Sequence, residues 1–108
     1  MTQFGDHDHV RIERDDAIVR VTLTNPAARN AQTPATWRRL ASIPELLDDT
    51  VRAVVLSAEG ASFSAGLDRR MLTPDGVPGE RSLMALMADS ESVMDEFIQQ
   101  AQSAFTWW

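Results

Sequence analysis

Two stretches of small residues, Asn25 to Gln32 and Glu59 to Asp68, are where this sequence could do chemistry. Small side chains let a ligand approach the backbone closely, so main-chain N–H groups become usable. In the second stretch Gly66 stands before a short helix expected from Leu67. Free N–H groups at a helix start would suit an anion; the alternative is a tight turn that uses Gly66 only for its backbone angles. Ser62-Phe63-Ser64-Ala65-Gly66 loosely matches the nucleophile elbow G-x-S-x-G, with Ser62 in place of the first glycine. A hydrolytic triad needs a histidine base, and both histidines, His7 and His9, lie in the polar amino-terminal segment. Asp6-His7-Asp8-His9 could grip a divalent ion, but metal sites normally draw on several elements. A loose polar tail over residues 1–9 is the simpler reading. Glu59, Asp75 and Glu80 are acids near the loops and read as solvated surface.

These loops need a scaffold. Val10 to Glu13 alternates apolar and charged residues, Arg14-Asp15-Asp16 supplies a turn, and Ala17 to Thr24 alternates again, so the pair reads as a hairpin. Asn25-Pro26 ends the second strand because proline cannot extend the ladder. Thr33-Pro34 has the form of an N-cap followed by proline in the first helical turn, with Trp37, Leu40 and Ala41 on one helix face. Pro44 should break that helix and leave Glu45 to Asp48 as a further turn. Val51 to Ala58 is almost continuously apolar and β-branched, the pattern of a parallel strand buried on both faces. Strand, helix and strand make a right-handed βαβ crossover, and in such α/β sheets ligands bind beyond the carboxyl ends of the strands. Both small-residue loops lie there. Thr73 to Gly79 should be irregular. A last helix from Asp89 or Ser90 carries Val93, Met94, Phe97, Ile98, Ala101, Ala104, Phe105 and Trp108 at helical spacing and has no glycine or proline to end it, which reads as a truncation.

The chain has 108 residues, a formal net charge of −6, no cysteine and a hydrophobic fraction of 44%. One small domain fits that length. The acidic balance argues against nucleic acid or an anionic membrane as partner, and the lack of cysteine excludes disulfides and thiolate metal sites. No signal-peptide pattern and no membrane-length apolar run is present, so a cytoplasmic protein is expected.

Leu23-Thr24-Asn25-Pro26-Ala27-Ala28-Arg29-Asn30-Ala31 resembles the crotonase family's leucine, polar pair, proline and Asn-Ala. Val54-Val55-Leu56-Ser57-Ala58-Glu59-Gly60-Ala61-Ser62-Phe63-Ser64-Ala65-Gly66-Leu67-Asp68 resembles the same family's F-[SC]-A-G-x-D signature after a hydrophobic strand. The resemblance runs from about Val10 to Trp108. It implies a crotonase-like α/β fold, a spiral of ββα units represented here by a hairpin, one βαβ crossover and the following helices. It also divides the chain into a tail at 1–9 and an incomplete amino-terminal part of a crotonase-like domain at 10–108.

The resemblance further implies an enoyl-CoA hydratase or isomerase that binds a coenzyme A thioester and stabilises the oxyanion formed at its carbonyl. By resemblance the Leu67 N–H is the first oxyanion donor, and Ala28, Ala65, Gly66, Leu67 and Asp68 line the substrate. Asp68 reads equally as a charge placed at a helix N-terminus, and Arg29 is within reach of a coenzyme A phosphate. No cofactor is implied, since coenzyme A enters as part of the substrate, and complete relatives form trimers or hexamers. Asn25 stands where many members have arginine, and Gln32 where leucine is usual. The family's second oxyanion donor and its catalytic carboxylates belong to segments that follow these motifs and have no counterpart here. A non-catalytic fragment that binds CoA thioesters or a protein partner is therefore the alternative.

Overall fold

The computed structural model describes residues 1–108 as a mixed sheet with helices packed against one face. Strands β1 (Thr2–His7), β2 (Val10–Asp15), β3 (Ile18–Leu23) and β4 (Ala53–Ala58) lie in that spatial order. The first two pairings are antiparallel and β3–β4 is parallel. The expected hairpin is β2–β3, with Asp16 at φ +55° in its turn. Short polar side chains tolerate that left-handed backbone best after glycine.

The connection from β3 to β4 holds helix α1 (Pro34–Ala41) and a 3-10 turn at Ile43–Leu46. The Thr33 side chain caps α1 by accepting from the Thr36 N–H at 3.3 Å, with Pro34 in the first helical turn. Beyond β4 come a 3-10 turn at Arg69–Leu72, helix α2 (Leu83–Met87) and helix α3 (Glu91–Ser103). Each of the two later helices begins on a serine, Ser82 and Ser90, whose hydroxyl accepts an N–H three residues on, as N-caps do.

Alternation in β2 and β3 sends Val10, Ile12, Val19, Val21 and Leu23 to one cluster with Trp37, Leu40, Ile43 and Ala104. The α1 and α3 helices meet over it. Trp37 contacts Phe97 edge to face, with ring centroids 5.8 Å apart and planes at 67°.

Three expectations change. Residues 2–7 form β1 rather than a loose tail. An edge strand is held by backbone pairing and needs no apolar alternation; here Gln3 bonds Glu13, Thr24 bonds Asp6, and Arg39 donates to the Phe4 carbonyl. Strand β4 is not buried on both faces. It is the outer strand of the sheet, its residues alternate half-buried and exposed, and Val55 is 41% exposed. Finally, α3 stops at Ser103, and the chain turns so that the Trp107 indole N–H donates to the Leu40 carbonyl at 3.1 Å and its ring stacks on Trp108.

Candidate functional site

The two small-residue loops meet at the carboxyl ends of β3 and β4. The first leaves β3 through a 3-10 turn at Pro26–Ala28, then places Arg29 and Asn30 in left-handed conformation at φ +52° and +54°. That pair of backbone reversals lets residues 29–32 run beside residues 65–68. Ala65 N–H donates to the Arg29 carbonyl, Gln32 N–H to the Gly66 carbonyl at 2.7 Å, and Asp68 N–H to the Gln32 carbonyl at 2.8 Å. Gln32 and Leu67 thus form an isolated parallel bridge.

This bridge determines where the Leu67 N–H points. A peptide's C=O and N–H are antiparallel across its planar trans bond. The Gly66 carbonyl is pinned to Gln32, so the N–H of Leu67 on the same peptide faces the opposite way. It donates to no group of the chain. Leu67 lines an open cleft of about 640 Å³, together with Ala27, Ala28, Arg29, Ala31, Ala65, Asp68, Arg69 and Arg70. Ala28, Ala65, Leu67 and Asp68 are therefore brought to one cleft. Gly66 does not itself line the cleft; it turns the backbone between Ala65 and Leu67 at φ +86°, with no atom within 4 Å of where a Cβ would stand. Gly60 is more constrained, because a Cβ there would lie 2.8 Å from the Pro26 side chain.

One expected detail is corrected, and one open reading gains an observation. No helix starts at Leu67: the following 3-10 turn begins at Arg69 with Asp68 as its N-cap, so the free N–H owes its direction to the bridge. Asp68 is a capping and paired carboxylate. Buried at 7% exposure, it accepts from the Arg70 N–H at 2.9 Å and holds the Arg70 guanidinium at 2.8 and 3.0 Å.

Bonding to the Arg70 side chain holds the Asp68 carboxyl below the usual aspartate range, against the opposing effect of burial. A depressed folded-state pKa contributes stability that is present above the unfolded value and is lost as pH falls through the folded one. Asp68→Asn is accordingly expected to melt less steeply with acidification than the parent chain below about pH 4. Thermal melts across that range check it, and parallel acid limbs would remove Asp68 from the acid response.

Two of the other loop acids are engaged elsewhere, and the third, Asp75, is exposed and makes no side-chain bond. Glu59 pairs with Arg11 at 2.8 Å, and Glu80 with Arg38 at 2.8 Å. Ser64 is no nucleophile of triad type, since its Oγ sits 2.8 Å from the Asn30 carbonyl and bonds no histidine.

Two residues that join the loops were not legible as functional. Asn30, 2% exposed, accepts from the Asn25 N–H at 2.9 Å and donates to the Glu59 and Ser62 carbonyls at 2.9 and 3.0 Å. Gln32 bonds the Trp37 indole and the Ser64 hydroxyl, each at 2.9 Å. The Asn-Ala dipeptide was a signal for the first. Nothing local marks the second.

No family model matches the chain. A provisionally assigned enoyl-CoA hydratase of Mycobacterium tuberculosis is 45% identical to it over 65 residues, covering 56% of this chain and 20% of that protein. A 4-chlorobenzoyl coenzyme A dehalogenase of Arthrobacter is 38% identical over 73 residues, 63% of this chain and 25% of its own. A provisionally assigned enoyl-CoA hydratase from Thermobifida fusca, solved with acetoacetyl-CoA, superposes with a TM-score of 0.83 at 35% identity, over 93% of this chain and 38% of that one. The chain is homologous to the crotonase family over the matched residues. It spans a fifth to a quarter of the length of these curated crotonase relatives. The hairpin, the α1 crossover and the paired site loops are the part of the crotonase-like fold that it carries. No helix in this chain is long and apolar enough to cross a membrane.

Proposed function

We propose that this chain forms the acyl-CoA-binding loops of an enoyl-CoA hydratase/isomerase-like enzyme and corresponds to the amino-terminal part of a crotonase-like domain over residues 10–108. The Leu67 N–H serves as first donor to the thioester oxyanion, while Ala28, Ala65 and Gly66 give the thioester access to the backbone. The observation that carries this reading is the Leu67 N–H, which no group of the chain accepts, fixed in direction by the Gln32–Leu67 bridge at a cleft floored by small residues. A donor held in place before the substrate arrives needs no reorganisation as negative charge develops, and one such group is commonly worth about 3–4 kcal/mol. The relatives and the solved complex support coenzyme A thioesters as the ligand class. Within that class we take the reaction of the intact enzyme to be hydration or isomerisation of a 2-enoyl-CoA thioester.

Charge supports it as well. Three arginines border the cleft and only one, Arg70, is paired there, to Asp68. The side chains of Arg29 and Arg69 hydrogen-bond nothing and face an anion's approach in a chain of net charge −6. Asp68 is the only acid lining the cleft and is committed to Arg70, so no free carboxylate stands there as a base.

Calorimetric titration with acetoacetyl-CoA tests the reading. Saturable binding that weakens with added salt is expected, and Arg29→Ala with Arg69→Ala should weaken it by about tenfold or more, the usual worth of a charged hydrogen bond. Hydration of crotonyl-CoA by the same chain should be negligible. No binding would overturn the acyl-CoA assignment, and robust turnover would overturn the view that a base is lacking.

A further inference from the structure

We propose that Gln32 is a positioning residue for the oxyanion donor, tying the site loop to α1 through a directional chain of hydrogen bonds from Trp37 to Asn30. This rests on the acyl-CoA reading above for its consequence, though not for its geometry.

The direction of every bond in the chain follows from the donors available. An indole N–H can only donate, so the Gln32 oxygen must face Trp37 at 2.9 Å, and the Gln32 amide NH₂ must face the Ser64 Oγ at 2.9 Å. That oxygen also accepts from the Gly66 N–H at 3.1 Å. With two bonds accepted, the single hydroxyl proton of Ser64 goes to the Asn30 carbonyl at 2.8 Å. The relay is thus complete, with no alternative orientation of the glutamine amide. It ends on Asn30, the second of the two left-handed residues in the paired segment of the first loop.

Its target is the peptide that carries the Leu67 N–H. Gln32 holds the Gly66 carbonyl through its own main-chain N–H, and through Ser64 it holds the Gly66 N–H. Glycine at φ +86° has no side chain to restrict it, and nothing stands within 4 Å on its Cβ side. Left to itself that peptide could swing and turn the Leu67 N–H away from the cleft. Gln32 and Ser64 therefore supply the restraint that a side chain at Gly66 would otherwise give, while the cleft side stays open. Replacing Gln32 by leucine would fill the space and leave the Trp37 N–H and Ser64 without their partner.

The test compares Gln32→Leu and Ser64→Ala with the parent chain, using CoA, which has no thioester carbonyl, and acetoacetyl-CoA, which has one. The expected result is that the ratio of acetoacetyl-CoA to CoA affinity falls by about tenfold, while CoA affinity itself stays within about twofold. In parallel, amide hydrogen exchange should show Gly66 protected in the parent and exchanging about tenfold faster in both variants, with unchanged core amides. An unchanged affinity ratio or an unchanged Gly66 protection overturns the proposal, as does equal loss of both ligands together with core protection, which would make Gln32 a stability residue only. If the parent binds neither ligand, the acyl-CoA reading falls, and Gly66 protection alone decides whether Gln32 positions this peptide.

Discussion

Replacing Asn30 with alanine is expected to destabilise the chain by roughly 3–5 kcal/mol and to part the two site loops. Two costs add. The side chain is buried and makes three bonds, one accepted from Asn25 and two donated across to the Glu59 and Ser62 carbonyls. Each buried polar group left without a partner costs about 1–3 kcal/mol. Ser62 is exposed and its carbonyl can be rehydrated, which keeps the sum below three full penalties. The second cost is conformational. Asn30 sits at φ +54°, where asparagine is tolerated and alanine loses about 1–2 kcal/mol.

Two companion variants separate these costs. Asn30→Gly keeps the backbone angle and loses only the bonds, so it should recover the conformational part. Asn30→Asp is nearly the same shape but brings an acceptor to two carbonyls, and should fall at least as far as alanine. Urea denaturation midpoints for the three variants check the order. An Asn30→Ala loss below about 1 kcal/mol would mean that the backbone bridge at Gln32 and Leu67 holds the loops unaided.

The asymmetry between what was legible and what was not follows from range. Thr33-Pro34, the break at Pro44 and the alternation in β2 and β3 are local signals, and each element they predict is present. The parallel pairing of β4 was legible from its β-branched run; its exposed face was not, because composition reports what a strand can tolerate and position in the sheet decides what covers it. Strand β1 left no period to read, since its stability comes from main-chain bonds to β2 and polar contacts.

At the site the same distinction holds. Small residues at the ends of β3 and β4 located the loops, and the family resemblance pointed to Leu67. Why that N–H is free was not legible, because the reason is a bridge between residues 35 positions apart. Asp68 illustrates the reverse case. Its carboxylate was weighed as a ligand or a helix-terminal charge, and the capping role it takes depends on Arg70 two residues away and on the turn starting at Arg69 rather than at Leu67.

Trp37→Ala should be the most damaging single truncation in the core, at about 3–5 kcal/mol. For a domain whose total stability is of the order of 5–15 kcal/mol, that is a third or more of what holds it folded. The ring is 9% exposed, joins the sheet cluster through α1, and meets Phe97 of α3 edge to face. The α1 and α3 helices pack directly on one another around this ring, so α3 should loosen with it. A double-mutant cycle with Phe97→Ala should return a coupling of about 0.5–1.5 kcal/mol for the aromatic pair.

Trp37→Phe divides the two roles of the side chain. It keeps an aromatic ring in the core but removes the N–H that orients Gln32, leaving the glutamine oxygen without its donor. Its melt should therefore fall much less than that of Trp37→Ala, while amide exchange at Gly66 should quicken nearly as much as in Gln32→Leu. Thermal melts and exchange on the same samples give both numbers. If Gly66 exchange followed stability alone across Trp37→Phe, Trp37→Ala and Gln32→Leu, the core and the site loop would be coupled only through global unfolding. If it followed loss of the indole N–H instead, packing in α1 would be transmitted to the oxyanion donor through one side-chain amide.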